Sequence, residues 1–311
     1  MEHRTLTLDA LPGDPVEVPY ATLTGGGGEG PRVTVVAGVH GGEYTGMAAL
    51  LRLVQALDHG PDADRLRGSL TVVPVLNQPA FWSRSAFVVP ADGKNLNRCF
   101  PGDPAGSYTD VLAHELFEAF IRPADVLLDL HAGDLPEALE PFCLYEESPV
   151  EDRARELALV YGTGHVVRQS RAARTVGGST SAAAADIGVP AITAEIGANG
   201  ICDEASVAGH LQGVRNVLAS LGMLPADVAV PAAPPVEHDG WAWLRTPVQG
   251  FWQASVAVGD QVRTGDQLGV VLGPWGDELH RVTAPTDGCP LFLTTSPAVL
   301  ADGLLLGLAR S

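Results

Sequence analysis

The sequence predicts an α/β protein, a sheet flanked on both faces by helices, with a small all-β domain after it. Three observations carry this expectation. From about Arg32 to Leu224, short apolar runs alternate with amphipathic stretches of helical length. The apolar runs are nearly continuous, as in strands covered on both sides. After Pro225–Pro235, a segment rich in proline and alanine, short β-like runs broken by Gly-Asp and Pro turns take over. The expected division is a domain at 1–224, a linker at 225–235 and a small β domain at 236–311.

In chain order, Val33–Val39 reads as a strand and Gly46–Leu57 as the helix after it. Leu70–Leu76 is a second strand, and Asp110–Ile121 a helix with an aspartate at its start. Val126–Leu130 and Pro141–Tyr145 are strands, followed by the helix Glu151–Tyr161. Ser179–Ile187 and Ser206–Leu221, each opened by a serine, are helices on either side of the strand Ala191–Ile196. In the last part Trp241–Thr246, Gly250–Val258, Gln267–Leu272 and His280–Ala284 read as strands, with no helix required. Gly25–Gly30 contains G-x-G-x-x-G, but it precedes its strand and opens no helix, so it reads as a flexible loop.

A net charge of −18 opposes binding to nucleic acid or anionic membranes. No apolar run reaches the length of a membrane span, and Met1-Glu2-His3-Arg4 does not open a signal peptide. Four scattered cysteines without a C-x-x-C pair fit a reduced, cytoplasmic chain, with Cys99 a packed thiol.

The chemistry gathers at strand ends. Val35–Glu43 (VVAGVHGGE) sets a histidine and a glutamate three residues apart after an apolar run, and Val126–His131 (VLLDLH) ends a second run in histidine. A lone buried histidine is usually a satisfied core residue; this spacing on two strands points to ligation. His40, Glu43 and His131 supply two nitrogens and a carboxylate to one zinc ion, leaving a fourth position for water, as catalytic zinc sites do. Asp129, two residues before His131 on the same strand face, is placed to fix a ligand imidazole, though another polar contact explains it equally well. Glu195 ends the apolar run 191–194, where a carboxylate avoids the core unless it faces a polar site. It is a candidate general base, the alternative being a strand-end carboxylate that caps the next segment. Asn97 and Arg98, in the polar loop Asp92–Gly102, suit a substrate carboxylate. Arg84, upstream, suits a developing oxyanion. Lys94, in the same loop, is the only lysine.

Together VAGVHGGEYTG, NLNRCFPG, DLHAG and TAEIG resemble the succinylglutamate desuccinylase/aspartoacylase family, a branch of the zinc carboxypeptidase-like enzymes. The resemblance implies a carboxypeptidase-like mixed sheet with zinc on His40, Glu43 and His131. It also implies Glu195 as general base, Asn97 and Arg98 as the carboxylate clamp, and Arg84 near the scissile carbonyl. The spacing is similar to that of bacterial N-acetyl-diaminobutyrate deacetylases. Aspartoacylases use a C-terminal tyrosine, whereas the last tyrosine here is Tyr161. Arg171 and Arg174 are the candidates for reading an acidic substrate side chain. The segment 256–268 resembles a biotinyl/lipoyl-like fold, but no lysine follows Lys94 to carry the prosthetic group. The implied function is zinc-dependent hydrolysis of a small N-acylated amino acid by a cytoplasmic enzyme, with self-association left open. A metallocarboxypeptidase acting on short peptides is the alternative, and a zinc-free binding module the non-enzymatic one.

Overall fold

The apolar runs assemble into a nine-stranded mixed sheet in this computed structural model, which describes residues 1–11, 13, 15–60, 62–172, 178–225 and 233–310. The first ten strands are β1 (Glu2–Leu8), β2 (Val16–Thr24), β3 (Arg32–Ala37), β4 (Ser69–Val73), β5 (Val126–His131), β6 (Glu137–Leu139), β7 (Phe142–Glu146), β8 (His165–Gln169), β9 (Ala191–Glu195) and β10 (Val236–His238). The large sheet runs β1-β2-β4-β3-β5-β9-β7-β8-β10. Its centre, β4-β3-β5-β9, is parallel, and β7 enters antiparallel to β9.

Helices cover both faces, as the sequence pattern requires. On one face α1 (Tyr44–His59) packs with α4 (Glu151–Tyr161) and α6 (Glu204–Ser220) over Val33, Val35, Leu128 and Leu130. The short α2 (Gln78–Ser83) lies at the edge, capped by Asn77. On the other face α3 (Tyr108–Leu116), a π-helical turn at Phe117–Ile121 and α5 (Thr180–Asp186) cover Val36, Val73 and Leu127. Alternate residues of β3 and β5 therefore feed opposite cores, which is why both strands are continuously apolar.

The remaining strands are β11 (Trp241–Arg245), β12 (Gly250–Ala254), β13 (Gln267–Leu272), β14 (Glu278–Thr283), β15 (Gly288–Thr294), β16 (Ala298–Val299) and β17 (Leu304–Arg310). They form two four-stranded sheets, β11-β17-β15-β6 and β14-β13-β12-β16, with Trp252, Leu268, Val271, Leu306 and Leu308 in their core. Two strands cross the expected division. β6 precedes the linker yet pairs with β15, and β10 follows it yet pairs with β8. Residues 226–232 of the expected linker lie outside the described residues.

The glycine-rich segment Gly25–Gly30 is not a loose loop. Its N–H groups at Gly25 and Gly27 donate to the carbonyls of Gly68 and Leu66, and a Cβ at Gly25 would sit 1.7 Å from the Leu66 oxygen. No described helix is long and apolar enough to cross a membrane.

Candidate active site

Strands β3, β5 and β9 lie side by side and parallel, so their carboxyl ends meet at one edge. After β3 the chain turns at Gly38 (φ 70°), and His40 and Glu43 occupy the turn before α1. Gly41 and Gly42 serve close approach rather than an unusual backbone angle. A Cβ at Gly41 would lie 2.5 Å from the Ala80 backbone, and one at Gly42 2.6 Å from the Asp134 carboxylate. Glu43 directly precedes α1, where the helix dipole favours a carboxylate. His131 ends β5 in register with Glu195 at the end of β9.

The structure brings His40, Glu43 and His131 together, all buried, with potential ligand atoms within 4.8 Å of one another. Each imidazole turns Nδ1 to Glu43, at 2.5 Å for His40 and 2.8 Å for His131. The other ring nitrogens are engaged. His40 Nε2 lies 3.1 Å from Asn95 Oδ1, and His131 Nε2 2.9 Å from Asp129 Oδ2. Both partners are acceptors, so each Nε2 carries a proton, and a ring without a second proton aims its Nδ1 lone pair at the Glu43 carboxylate. Acceptors facing acceptors at this range require a cation between them or protonated rings. The donor set and the buried setting suit a divalent ion of the zinc type. Without an ion, burial disfavours charge on both groups, but the His40 and His131 rings hold the Glu43 carboxyl well below its usual range. Asp129 and Glu43 likewise outweigh burial and raise His131. Asp129 is itself fully buried, receives the Thr180 hydroxyl, and leaves Oδ1 without a partner among the described residues.

Glu195 faces the same cavity. Burial, together with the charges of Glu43 and Glu137, pushes its carboxyl up to about 8 against the pull of His131. The cavity measures ≈ 220 Å³. One side is formed by Asn95, Asn97 and Arg98; Asn97 Oδ1 accepts the Thr180 N–H at 3.1 Å at the start of α5. Arg98 donates to the Asn97 carbonyl at 2.8 Å and makes no ion pair among the described residues. Burial lowers its pKa, with Glu43 and Glu137 opposing. The roof comes from the small domain: Trp241, Trp243, Phe292 and Leu304.

Arg84 is not brought to this cavity. It caps α2 in the left-handed conformation (φ 54°) with its side chain exposed, and Phe87 and Asn95 of the same connection line the wall instead. Lys94 pairs with Asp110 at 2.6 Å, and exposed Arg171 pairs with Asp186; Arg174 lies outside the described residues. Cys99 is a packed thiol, raised by burial to about 11, that donates to the Asn95 carbonyl. The roof aromatics and Glu137 carried no motif in the sequence, because only the meeting of distant segments makes them neighbours.

The loop that presents Asn95, Asn97 and Arg98 is anchored by Asp92, whose carboxylate accepts from the Ser107 hydroxyl (2.6 Å), the Thr109 N–H (2.9 Å) and the Thr109 hydroxyl. Partial burial raises its pKa less than these bonds lower it. Asp92→Ala is expected to cost about 1–2 kcal/mol, read by denaturant unfolding. Because the folded-state pKa is depressed, this stabilisation is present above the ordinary aspartate pKa and fades as pH falls through the folded-state value. An unchanged midpoint at neutral pH contradicts the anchoring role.

Fold and site define an α/β domain that gathers buried ionisable side chains at the carboxyl edge of a mixed sheet. The sequence family of the succinylglutamate desuccinylase/aspartoacylase catalytic domain matches residues 29–221. An N-alpha-acetyl-L-2,4-diaminobutyric acid deacetylase of Halomonas elongata is 30% identical over 247 residues, which are 78% of this chain and 70% of that protein. The chain belongs to the succinylglutamate desuccinylase/aspartoacylase family. Among solved structures, the product-bound ectoine utilization protein EutE (DoeB) of Ruegeria pomeroyi has the same fold, with TM-score 0.86, 24% identity, and coverage of 100% of this chain and 95% of that one. The Rhodobacter sphaeroides succinylglutamate desuccinylase/aspartoacylase gives TM-score 0.85 at 23% identity, with coverage of 99% and 95%.

Proposed function

We propose that the protein is a zinc-dependent hydrolase cleaving the acyl-amide bond of a small N-acylated amino acid. The observation that carries this reading is Glu195, a half-buried carboxylate paired in register with His131 of the His-Glu-His triad and facing a cavity sized for a small molecule. Burying an acid there is costly unless it has a proton to move. The Halomonas relative, named as a deacetylase of an acylated amino acid, supports the same reading.

In this scheme Asn97 and Arg98 hold the substrate carboxylate and so fix the amide relative to Glu195. Glu195 takes a proton from the attacking water and returns it to the leaving amine. His40, Glu43 and His131 would hold a zinc ion, which would supply Lewis acidity and lower the pKa of bound water. Asp129 keeps the His131 tautomer that leaves Nδ1 free to ligate. The roof from the small domain excludes bulk solvent. Arg84 stabilises the oxyanion only if the 84–95 connection swings inward with substrate bound. That role demands a fall of tenfold or more in kcat for Arg84→Ala with KM little changed.

Metal analysis of the purified protein is expected to return one zinc per chain; a metal-free, active protein excludes the scheme. Zinc-loaded protein offered N-acetyl amino acids and short peptides is expected to deacylate the former. Peptide trimming without deacylation would establish the carboxypeptidase alternative instead.

A further inference from the structure

The carboxylate clamp and the metal site meet at one threonine. Thr180 opens α5, is fully buried, and has both of its donors engaged. Its main-chain N–H donates to Asn97 Oδ1 at 3.1 Å, and its hydroxyl donates to Asp129 Oδ2. The same Asp129 oxygen lies 2.9 Å from His131 Nε2, while Oδ1 has no partner among the described residues. Thr180 thus touches the clamp through its backbone. Through its side chain it touches the group that orients a ligand imidazole.

Each bond settles a choice that its acceptor would otherwise leave open. A main-chain N–H can only donate, so the Asn97 atom facing it is the amide oxygen. The Nδ2 group then remains to donate to a carboxylate in the cavity that Asn97 lines. Two donors on one oxygen hold the Asp129 carboxyl in a single orientation. That orientation keeps His131 Nε2 as its partner and His131 Nδ1 turned to Glu43. The segments that carry these groups are in close contact. The Phe100 N–H donates to the Gly178 carbonyl at 2.9 Å, and a Cβ at Gly178 (φ 81°) would lie 2.2 Å from the Arg98 oxygen. Glycine there lets the start of α5 rest on the clamp backbone, so a shift of one is passed to the other. The clamp loop reaches the second imidazole separately: Asn95 Oδ1 accepts the Asn97 N–H at 2.8 Å and lies 3.1 Å from His40 Nε2.

We propose that Thr180 is a positioning residue that links the carboxylate clamp to the metal site, its N–H holding Asn97 and its hydroxyl holding Asp129 against His131. This rests on the zinc-hydrolase reading. Seating a substrate carboxylate on Asn97 and holding the ion on His131 then reinforce each other, and by reciprocity a change at either end is felt at the other.

The test measures the zinc dissociation constant of the full chain by competition with a chelator. Thr180→Val keeps the N–H and removes only the hydroxyl; it is expected to weaken zinc binding by about tenfold or more. Thr180→Ser, which keeps the hydroxyl, is expected to stay within about threefold of the wild type. Asn97→Ala touches neither histidine and keeps the main-chain N–H that Asn95 accepts, so it cuts only the arm through Thr180. It is expected to weaken zinc binding by about fivefold or more, and to add little in the Thr180→Val background, because the two cuts lie in series. Wild-type zinc affinity in Thr180→Val, equal losses in the valine and serine variants, or additive losses in the double variant overturn the link. If Thr180→Val does not fold, Asn97→Ala decides alone, and unchanged zinc affinity there overturns it. A wild type that binds zinc and deacylates while the variants hold zinc equally well leaves the proposed function standing and removes Thr180 from it. A wild type that binds no zinc removes both.

Discussion

Glu195→Gln is expected to lower kcat by about two to four orders of magnitude while the protein keeps its metal. Glutamine has nearly the same shape, so the end of β9 and its pairing with His131 survive. It removes the group proposed to move the proton, and the three residues of the candidate metal site are untouched. The measurement is kcat on an N-acetyl amino acid alongside metal content. Near-wild-type turnover with full metal shows that another group moves the proton. Loss of metal together with activity makes Glu195 a support of the triad instead.

The second large effect is expected from Arg98→Ala. Arg98 lines the cavity and is exposed to solvent there, without an ion-pair partner among the described residues. A guanidinium so placed gains most when an anion arrives. Removing it should weaken substrate binding by about 2–5 kcal/mol, seen as a rise in KM larger than the fall in kcat. A fall confined to kcat moves Arg98 from the clamp to the reacting centre. Lysine is not expected to restore binding fully, because one ammonium does not reproduce the two-pronged geometry.

Much of the architecture was legible because strands covered on both faces leave long apolar runs, as at 33–37 and 126–130. The triad was legible for a related reason: polar residues that end such runs stand out. The hairpin β1–β2 was not read, since residues 2–5 are exposed and carry no core pattern. Nor were β6 and β8, three and five residues long with charged or polar members. Arg84 looked like an oxyanion partner from its place in the chain, but the left-handed cap of α2 directs it outward. The roof of the cavity was invisible to any local pattern. Trp241, Trp243 and Phe292 reach the site from a segment more than a hundred residues beyond His131.

The crossing of β6 and β10 between the two parts of the chain bears on how the molecule holds together. Each part lends the other a strand, so neither has its full set of backbone partners alone. A chain severed near residue 235 would leave unpaired edges on both sheets, and such edges invite aggregation. The two parts should therefore melt as one cooperative unit. Selection acting on the catalytic centre is then also selection on the small domain, because the same strand that carries Glu137 to the cavity ties that domain in place.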